Sequence, residues 1–296
     1  MSTIDLTQLP APEVVELLDY ETLYQEHLAQ FREAMGDGWN ANLESEPVVK
    51  ALETGAYREM LLRARINDAA RGVMLAFAKG ADLDQIGANY AVTRLLIKAA
   101  NNTTSPPTAA VYESDTDYRN RIQLSLEGYT TAGSTGSYIF HGLSADGNVR
   151  DIQPISPAPT QVTVYVLSRL GTGQASAALL QTVTAALNAE KVRPLTDKVT
   201  VLSANIVDYQ VEAELTLYDG PDSDVVLSAA YAAVEDYAAS VKRIGYDVAL
   251  SGLFQALHQA GVQSVKLLQP TASVILGDGE ASNLTGVSLK VVGASQ

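Results

Sequence analysis

From Pro47 to Ala78 no residue forces the chain out of a helix, and that run limits the fold more than any other feature. Ser45-Glu46-Pro47 reads as a helix start, with Pro47 near the first helical position, where a missing N–H costs nothing. Val49, Leu52, Ala56, Met60, Ala64, Ala70, Met74 and Phe77 drift along one side, and Gly80 offers a left-handed stop. At 1.5 Å per residue the rod would be about 48 Å long. A domain of about 100 residues is only roughly 35 Å across. The sequence therefore predicts either a kink, with Gly55 and Gly72 as its sites, or packing against another polypeptide.

A second amphipathic helix is predicted over Tyr20–Met35. Tyr20, Leu23, Tyr24, His27, Leu28 and Phe31 recur at the spacing of one helical face, and Gly36-Asp37-Gly38 ends it. Trp39, the single tryptophan, asks for an apolar wall and a partner for its ring N–H. The stripe serves either as core within the chain or as a surface whose aromatics anchor a partner. Asn67 and Asp68 lie midway along the long helix among Ile66, Ala69 and Ala70, which favours helix-to-helix hydrogen bonds over a water-facing role. The candidate interface residues are thus Tyr20, Leu23, Tyr24, Leu28, Phe31, Trp39, Leu52, Met60, Asn67 and Asp68.

Asp82 and Gln85 are spaced as a capping box for a short helix ending near Tyr90. Residues 99–113 open on the small, polar, proline-bearing run AANNTTSPPTAA and read as a linker. Ser114 and Asp117 then cap a helix carrying Tyr118, Ile122 and Leu126, closed by Gly128. Beyond residue 148 the period becomes alternating. Strands are predicted around Val162–Val166, Lys198–Leu202, Val207–Leu217, Val262–Leu268 and Gly286–Val292, with helices over Ala175–Ala189, Val225–Val241 and Ser251–Ala260. Ser144–Ile152 resembles Gln259–Val265: each reads as helix, glycine stop and strand, with a proline soon after. The fold class is α+β, an N-terminal α-helical assembly domain followed by two small α+β modules, possibly a duplication. The boundaries are 1–98 for the helical domain, 99–113 for the linker, 114–204 for the first module and 205–296 for the second.

Composition removes whole classes of function. The net charge of −14 repels phosphate backbones and anionic lipid heads, so neither nucleic acid nor membrane is an expected partner. The charge is uneven: residues 1–60 hold many acids against Arg32, Lys50 and Arg58, and Arg63, Arg65, Arg71 and Lys79 follow. These are solvated helix faces or a complementary partner surface. With no cysteine there is no disulfide, thiolate metal site or cysteine nucleophile. No secretory signal opens the sequence and no apolar run approaches a membrane span, so the chain is expected to begin in the cytoplasm.

No catalytic constellation stands out, and no catalytic, cofactor-binding or metal residue is expected. His27, His141 and His258 lie too far apart in sequence for metal-ligand spacing and fall on helix-like faces. Gly171-Thr172-Gly173 starts like a dinucleotide fingerprint but lacks its third glycine and reads as a turn. Asp82/Asp84, Asp115/Asp117 and Asp222/Asp224 each sit at a predicted helix start, where acids cap free N–H groups, and none has the spacing of a calcium loop.

Several segments together resemble the baseplate J-like family of contractile-tailed phages and R-type bacteriocins. They are Tyr20-Glu21-Thr22-Leu23, Pro47–Glu53, Tyr57-Arg58-Glu59, Arg65–Arg71, Gly80–Asp84, Tyr118–Ile122, Ala132–Tyr138 and Val192–Asp197. The likeness runs over about residues 15–270. It implies a structural, non-enzymatic baseplate wedge protein without cofactors. Two copies would join a smaller wedge protein through an N-terminal helical bundle, and C-terminal domains would link wedges into a six-fold ring touching the sheath initiator and the hub and spike. The protein would assemble in the host cytoplasm and end in the baseplate of the released particle. The alternatives are an assembly chaperone absent from that particle and a cell-wall hydrolase.

Overall fold

The computed structural model describes residues 4–10, 12–36, 45–130, 133–220 and 222–295. Its contacts separate two compact units: residues 1–93 with 115–119, and residues 94–114 with 120–296.

The first unit is helical. After a 3-10 turn at Leu6–Gln8 come α1 (Tyr20–Met35), α2 (Pro47–Gly72) and α3 (Gly80–Asn89). Asp19 caps α1 by accepting the Thr22 N–H at 2.8 Å, and Gly36, at φ 65°, closes it. α1 lies along α2, with Leu23 and Leu28 buried opposite Val49 and Ala56. At Gly55 a β-carbon would meet the His27 ring at 3.2 Å, so this glycine is where α1 comes close rather than a kink.

The predicted 47–78 rod is corrected. α2 has 26 residues, about 39 Å, and stops at Gly72. The Met74–Ala78 segment is a turn, with Phe77 and Ala78 N–H groups both donating to the Met74 carbonyl. The Arg119 guanidinium takes the Leu75 and Ala78 carbonyls at 2.7 and 2.6 Å, acceptors that a continuing helix would have used itself. The capping box at Asp82 is also corrected: the residue capping α3 is Lys79, with no side-chain cap bond, and Gly80 enters at φ 51°. Tyr118 is buried over Gly87 and donates its hydroxyl proton to the Val92 carbonyl at 2.8 Å.

The second unit opens with the stretch predicted as a linker, which instead forms a hairpin. β1 (Leu96–Lys98) pairs antiparallel with β2 (Val111–Tyr112). α4 (Asp115–Leu124) follows, then a 3-10 turn at Ser125–Tyr129 and α5 (Thr135–Leu143), capped by Ser134. β3 (Val149–Ala158), β4 (Gln161–Ser168) and β5 (Lys198–Ser203) make a sheet in which β4 is central, antiparallel to β3 and parallel to β5. α5 and α6 (Ala177–Leu187) cover it, burying Tyr138, Ile152, Val164, Val166, Val183 and Leu187. The glycine run at 171–173 is the turn between β4 and α6, with Gly173 accepting the Ser168 N–H.

β6 (Asn205–Tyr218) is central in the last sheet, flanked by antiparallel β7 (Val262–Gln269) and parallel β8 (Glu280–Ser295). Its alternation is that of a strand with one wet face: Tyr209, Val211, Ala213, Leu215 and Leu217 are buried under α7 (Ser223–Val241) and α8 (Leu250–Leu257). Asp222 caps α7 as its sequence predicts. The chain is α+β, with a helical N-terminal region and small sheets. The two similar segments fall on matching places, the helix and antiparallel edge strand of each sheet, α5–β3 and α8–β7. The element orders differ, however: β3 precedes its central strand and β7 follows its own. The sheets therefore do not repeat in tandem order.

β3 joins the two sheets. Arg150 donates to the Lys242 and Ala239 carbonyls at 2.9 and 2.6 Å, and Asp151 accepts the Ile244 N–H at 2.9 Å. Gln153 donates to Asp278 and accepts the Gly279 N–H. Leu167, Ala204, Ile244 and Ala281 form an apolar cluster beneath these bonds. Gly279 stands at φ 75° with the Tyr165 ring where its side chain would be, so only glycine fits without strain.

Candidate protein-interaction site

The predicted interface residues are sorted by the α1–α2 hairpin. Leu23 and Leu28 are buried inside it, which makes the stripe chiefly a seam within the chain; Tyr20, Tyr24, Phe31, Leu52 and Met60 are half-buried at its margins. Tyr20 and Tyr24 stack with ring centroids 6.3 Å apart. Trp39 lies outside the described residues.

Asn67 is buried, and its bonds run to a strap rather than to another helix. Its side-chain oxygen accepts the Glu16 N–H at 3.0 Å and its amide donates to the Glu16 carbonyl at 2.9 Å, fixing the segment before α1 as a paired strand would. Asp68 is exposed. Beside this clamp, Arg63 bonds Glu59 at 2.6 Å and Glu16 at 3.1 Å, and Glu59 also meets His27 Nε2 at 2.6 Å. The hydrogen bonds from His27 and Arg63 hold the Glu59 carboxyl below its ordinary range, and the two carboxylates push Arg63 upward. This network binds strap, α1 and α2 together.

What the hairpin leaves open is a different stripe of α2. Leu62, Ile66 and Ala69 follow one another at i, i+4 and i+7, the spacing of a helix–helix seam, and Val73, just past the end of the helix, continues the line. All four are exposed, Leu62 at 66%, Ile66 at 62% and Val73 at 76%. Tyr57 and Leu61 add apolar surface around the helix, with Arg58 and Arg65 between the two strips. Reading α2 as a helix with a single apolar side hid this stripe. The signal was present in the spacing: the buried line through Val49, Ala56 and Asn67 does not pass through Leu62, Ile66 or Ala69. So large an apolar strip on one helix face is a surface suited to burial against another protein.

No group of three or more His, Asp or Glu that could hold a metal ion occurs among the described residues. Two of these carboxylates accept backbone N–H groups: Asp222 caps α7 and Asp115 accepts the Gly80 N–H at 3.1 Å. His141 lies against the Gly128 carbonyl, and burial pushes its imidazole below the ordinary range. No described helix is long and apolar enough to cross a membrane.

Three family models match the chain in succession: the baseplate J-like N-terminal domain over residues 44–101, the baseplate J-like central domain over 130–203 and the baseplate J-like C-terminal domain over 209–290. Baseplate protein J of Escherichia phage P2 is 52% identical over 293 residues, covering 96% of each chain. Among solved structures, a chain of the six-fold symmetrised cryo-EM structure of the anti-feeding prophage baseplate matches at 17% identity and TM-score 0.43, over 60% of this chain. The match spans 43% of that chain's length.

Proposed function

Because the chain belongs to the baseplate J-like family and has the structural role of a phage baseplate protein, we propose that it is a wedge subunit whose work is done by its interfaces. In this reading the helical segment 1–98 is the assembly domain. It packs with a second copy and with a smaller wedge protein, while the modules 114–204 and 205–296 join wedges into a ring around the hub, near the sheath initiator. The protein carries no chemistry of its own; it holds one ring geometry and passes a second to the sheath when contraction is triggered. It assembles in the host cytoplasm and remains in the finished particle, unlike a chaperone.

One observation carries the assembly role: the exposed seam Leu62, Ile66 and Ala69 on α2, continued by Val73 just past its end. The length of α2 no longer supports it, since at about 39 Å the helix barely exceeds an ordinary domain. The test is the double variant Leu62→Glu, Ile66→Glu in the full chain. Both side chains already face water, so the isolated protein keeps its melting temperature within a few degrees. In cells producing tails, the variant is missing from purified particles by mass spectrometry. Normal particles containing it at the wild-type level would overturn the reading, and a wild-type protein absent from particles would favour the chaperone.

A further inference from the structure

The hairpin at residues 94–113 is built too firmly for a linker and packed too little for a core element. At its tip, Asn101 and Thr108 exchange both backbone hydrogen bonds at 2.9 Å, and the Asn101 side chain accepts from Thr103 N and Oγ1. At its root, Glu113 and Arg121 form a buried two-point ion pair at 2.8 and 2.7 Å, with the paired side chains no more than 5% exposed. Arg94 donates to the Glu113 carbonyl, Glu113 and Leu95 are bonded through their backbones, and the Leu96 carbonyl lies against Gly147, where no side chain would fit. Between root and tip nearly everything is exposed, including Leu96, Val111 and Tyr112. A lone two-stranded ribbon is marginal in water, and its β2 edge, away from Gly147, can pair with another strand. A buried charge pair adds orientation rather than net stability. Here it fixes the direction of an arm that its own chain leaves uncovered.

The arm's charge selects the occupant. Residues 96–112 contain Lys98 and no carboxylate, in a chain whose net charge is −14. Two copies of so acidic a chain repel across most of their surfaces, and least where this segment meets the other copy. A single lysine is too little to hold phosphate backbones or anionic lipid.

We propose that the 94–113 arm is a second self-association element, docking on the acidic surface of another copy of this chain through Leu96, Val111, Tyr112 and the ribbon edge, with Lys98 as its electrostatic guide. It assumes that copies meet, as proposed above, but it does not run through α2.

The test uses full-length chains carrying two different affinity tags, co-expressed, with a photo-crosslinking phenylalanine analogue at position 112 or, separately, at position 66. Covalent species from position 112 that are retained on both columns under denaturing conditions are the expected result, with a severalfold lower yield in the Lys98→Glu background at low salt. Doubly tagged species from position 66 alone would overturn the arm and leave the α2 reading standing. The same species from position 112 alone would sustain the arm and remove α2 as a self-contact, and none from either position would overturn both. A yield at 112 indifferent to Lys98→Glu would overturn the electrostatic part.

Discussion

Breaking the ion pair at the arm's root gives the sharpest check on this physical account. The Glu113 carboxylate takes Arg121 Nε at 2.8 Å and NH2 at 2.7 Å, and its second oxygen also accepts the Leu95 N–H at 3.3 Å. Glu113→Met deletes all three bonds and leaves a guanidinium, almost wholly buried, with Ser144 Oγ as one remaining acceptor at 3.0 Å. Removing one partner of such a pair costs about 3–5 kcal/mol, because the other charge stays desolvated. For a unit of this size that is a fall in melting temperature of about 6–20 °C, at 2–4 °C per kcal/mol. Arg121→Met should cost a similar amount. The double variant Glu113→Met, Arg121→Met removes both charges and refills the space with apolar atoms, so it should recover most of the loss, and the cycle should show a coupling of about 3 kcal/mol. Scanning calorimetry on the four proteins reads this directly. Additive losses in the double variant, or a single variant within about 0.5 kcal/mol of wild type, would show that the pair is not the buried, mutually dependent contact described here.

The other predictions concern named hydrogen bonds. Desolvation pushes the Asp151 carboxyl above its ordinary value while it accepts the Ile244 N–H. Its folded value exceeds the unfolded one, so its contribution is complete below about pH 3.8 and is lost as pH rises through the folded value. Asp151→Asn keeps an acceptor without the charge and should match or exceed wild-type stability at neutral pH, whereas Asp151→Ala should lose about 1–3 kcal/mol by orphaning the amide; chemical denaturation at pH 7 distinguishes them. Glu59 runs the other way: its carboxyl is held low, so its contribution is present above about pH 4.5 and is lost as pH falls through its folded value. Melts between pH 7 and 3 should therefore show a steeper acid loss for wild type than for Glu59→Gln, and equal slopes would contradict the His27–Glu59–Arg63 network.

Much of the fold was legible because it follows from local rules. Alternation gave β6 its buried face, Asp222 announced α7, and the change of period near residue 148 separated helices from strands. Where the reading failed, a distant residue had decided the local outcome. α2 stops at Gly72 because Arg119, more than forty positions on, holds the Leu75 and Ala78 carbonyls. Asn67 finds its partner in a backbone 51 residues away. β3 runs through Pro154 and Pro157 to Ala158, because an edge strand tolerates the missing donor. The 99–113 segment defeated composition outright, since small polar residues and prolines suit a hairpin tip as well as a flexible connection.

The buried and half-buried polar groups that bond across distant segments follow a pattern that matters for a structural baseplate protein. Burial of apolar area is non-directional: it holds α7 and α8 on their sheet but tolerates a range of angles. The directional bonds lie where one element must meet another in a single orientation. Asn67 fixes the strap to α2, Glu113 and Arg121 fix the arm, and Arg150, Asp151 and Gln153 fix one sheet to the next. These joint-forming groups are dispersed through the fold, each bonded to a neighbour in the same chain. The apolar surface left exposed among the described residues, Leu62 and Ile66 on α2 and Tyr112 on the arm, is held in place by those joints. Rigid joints beside open faces suit a part made to be built into something larger.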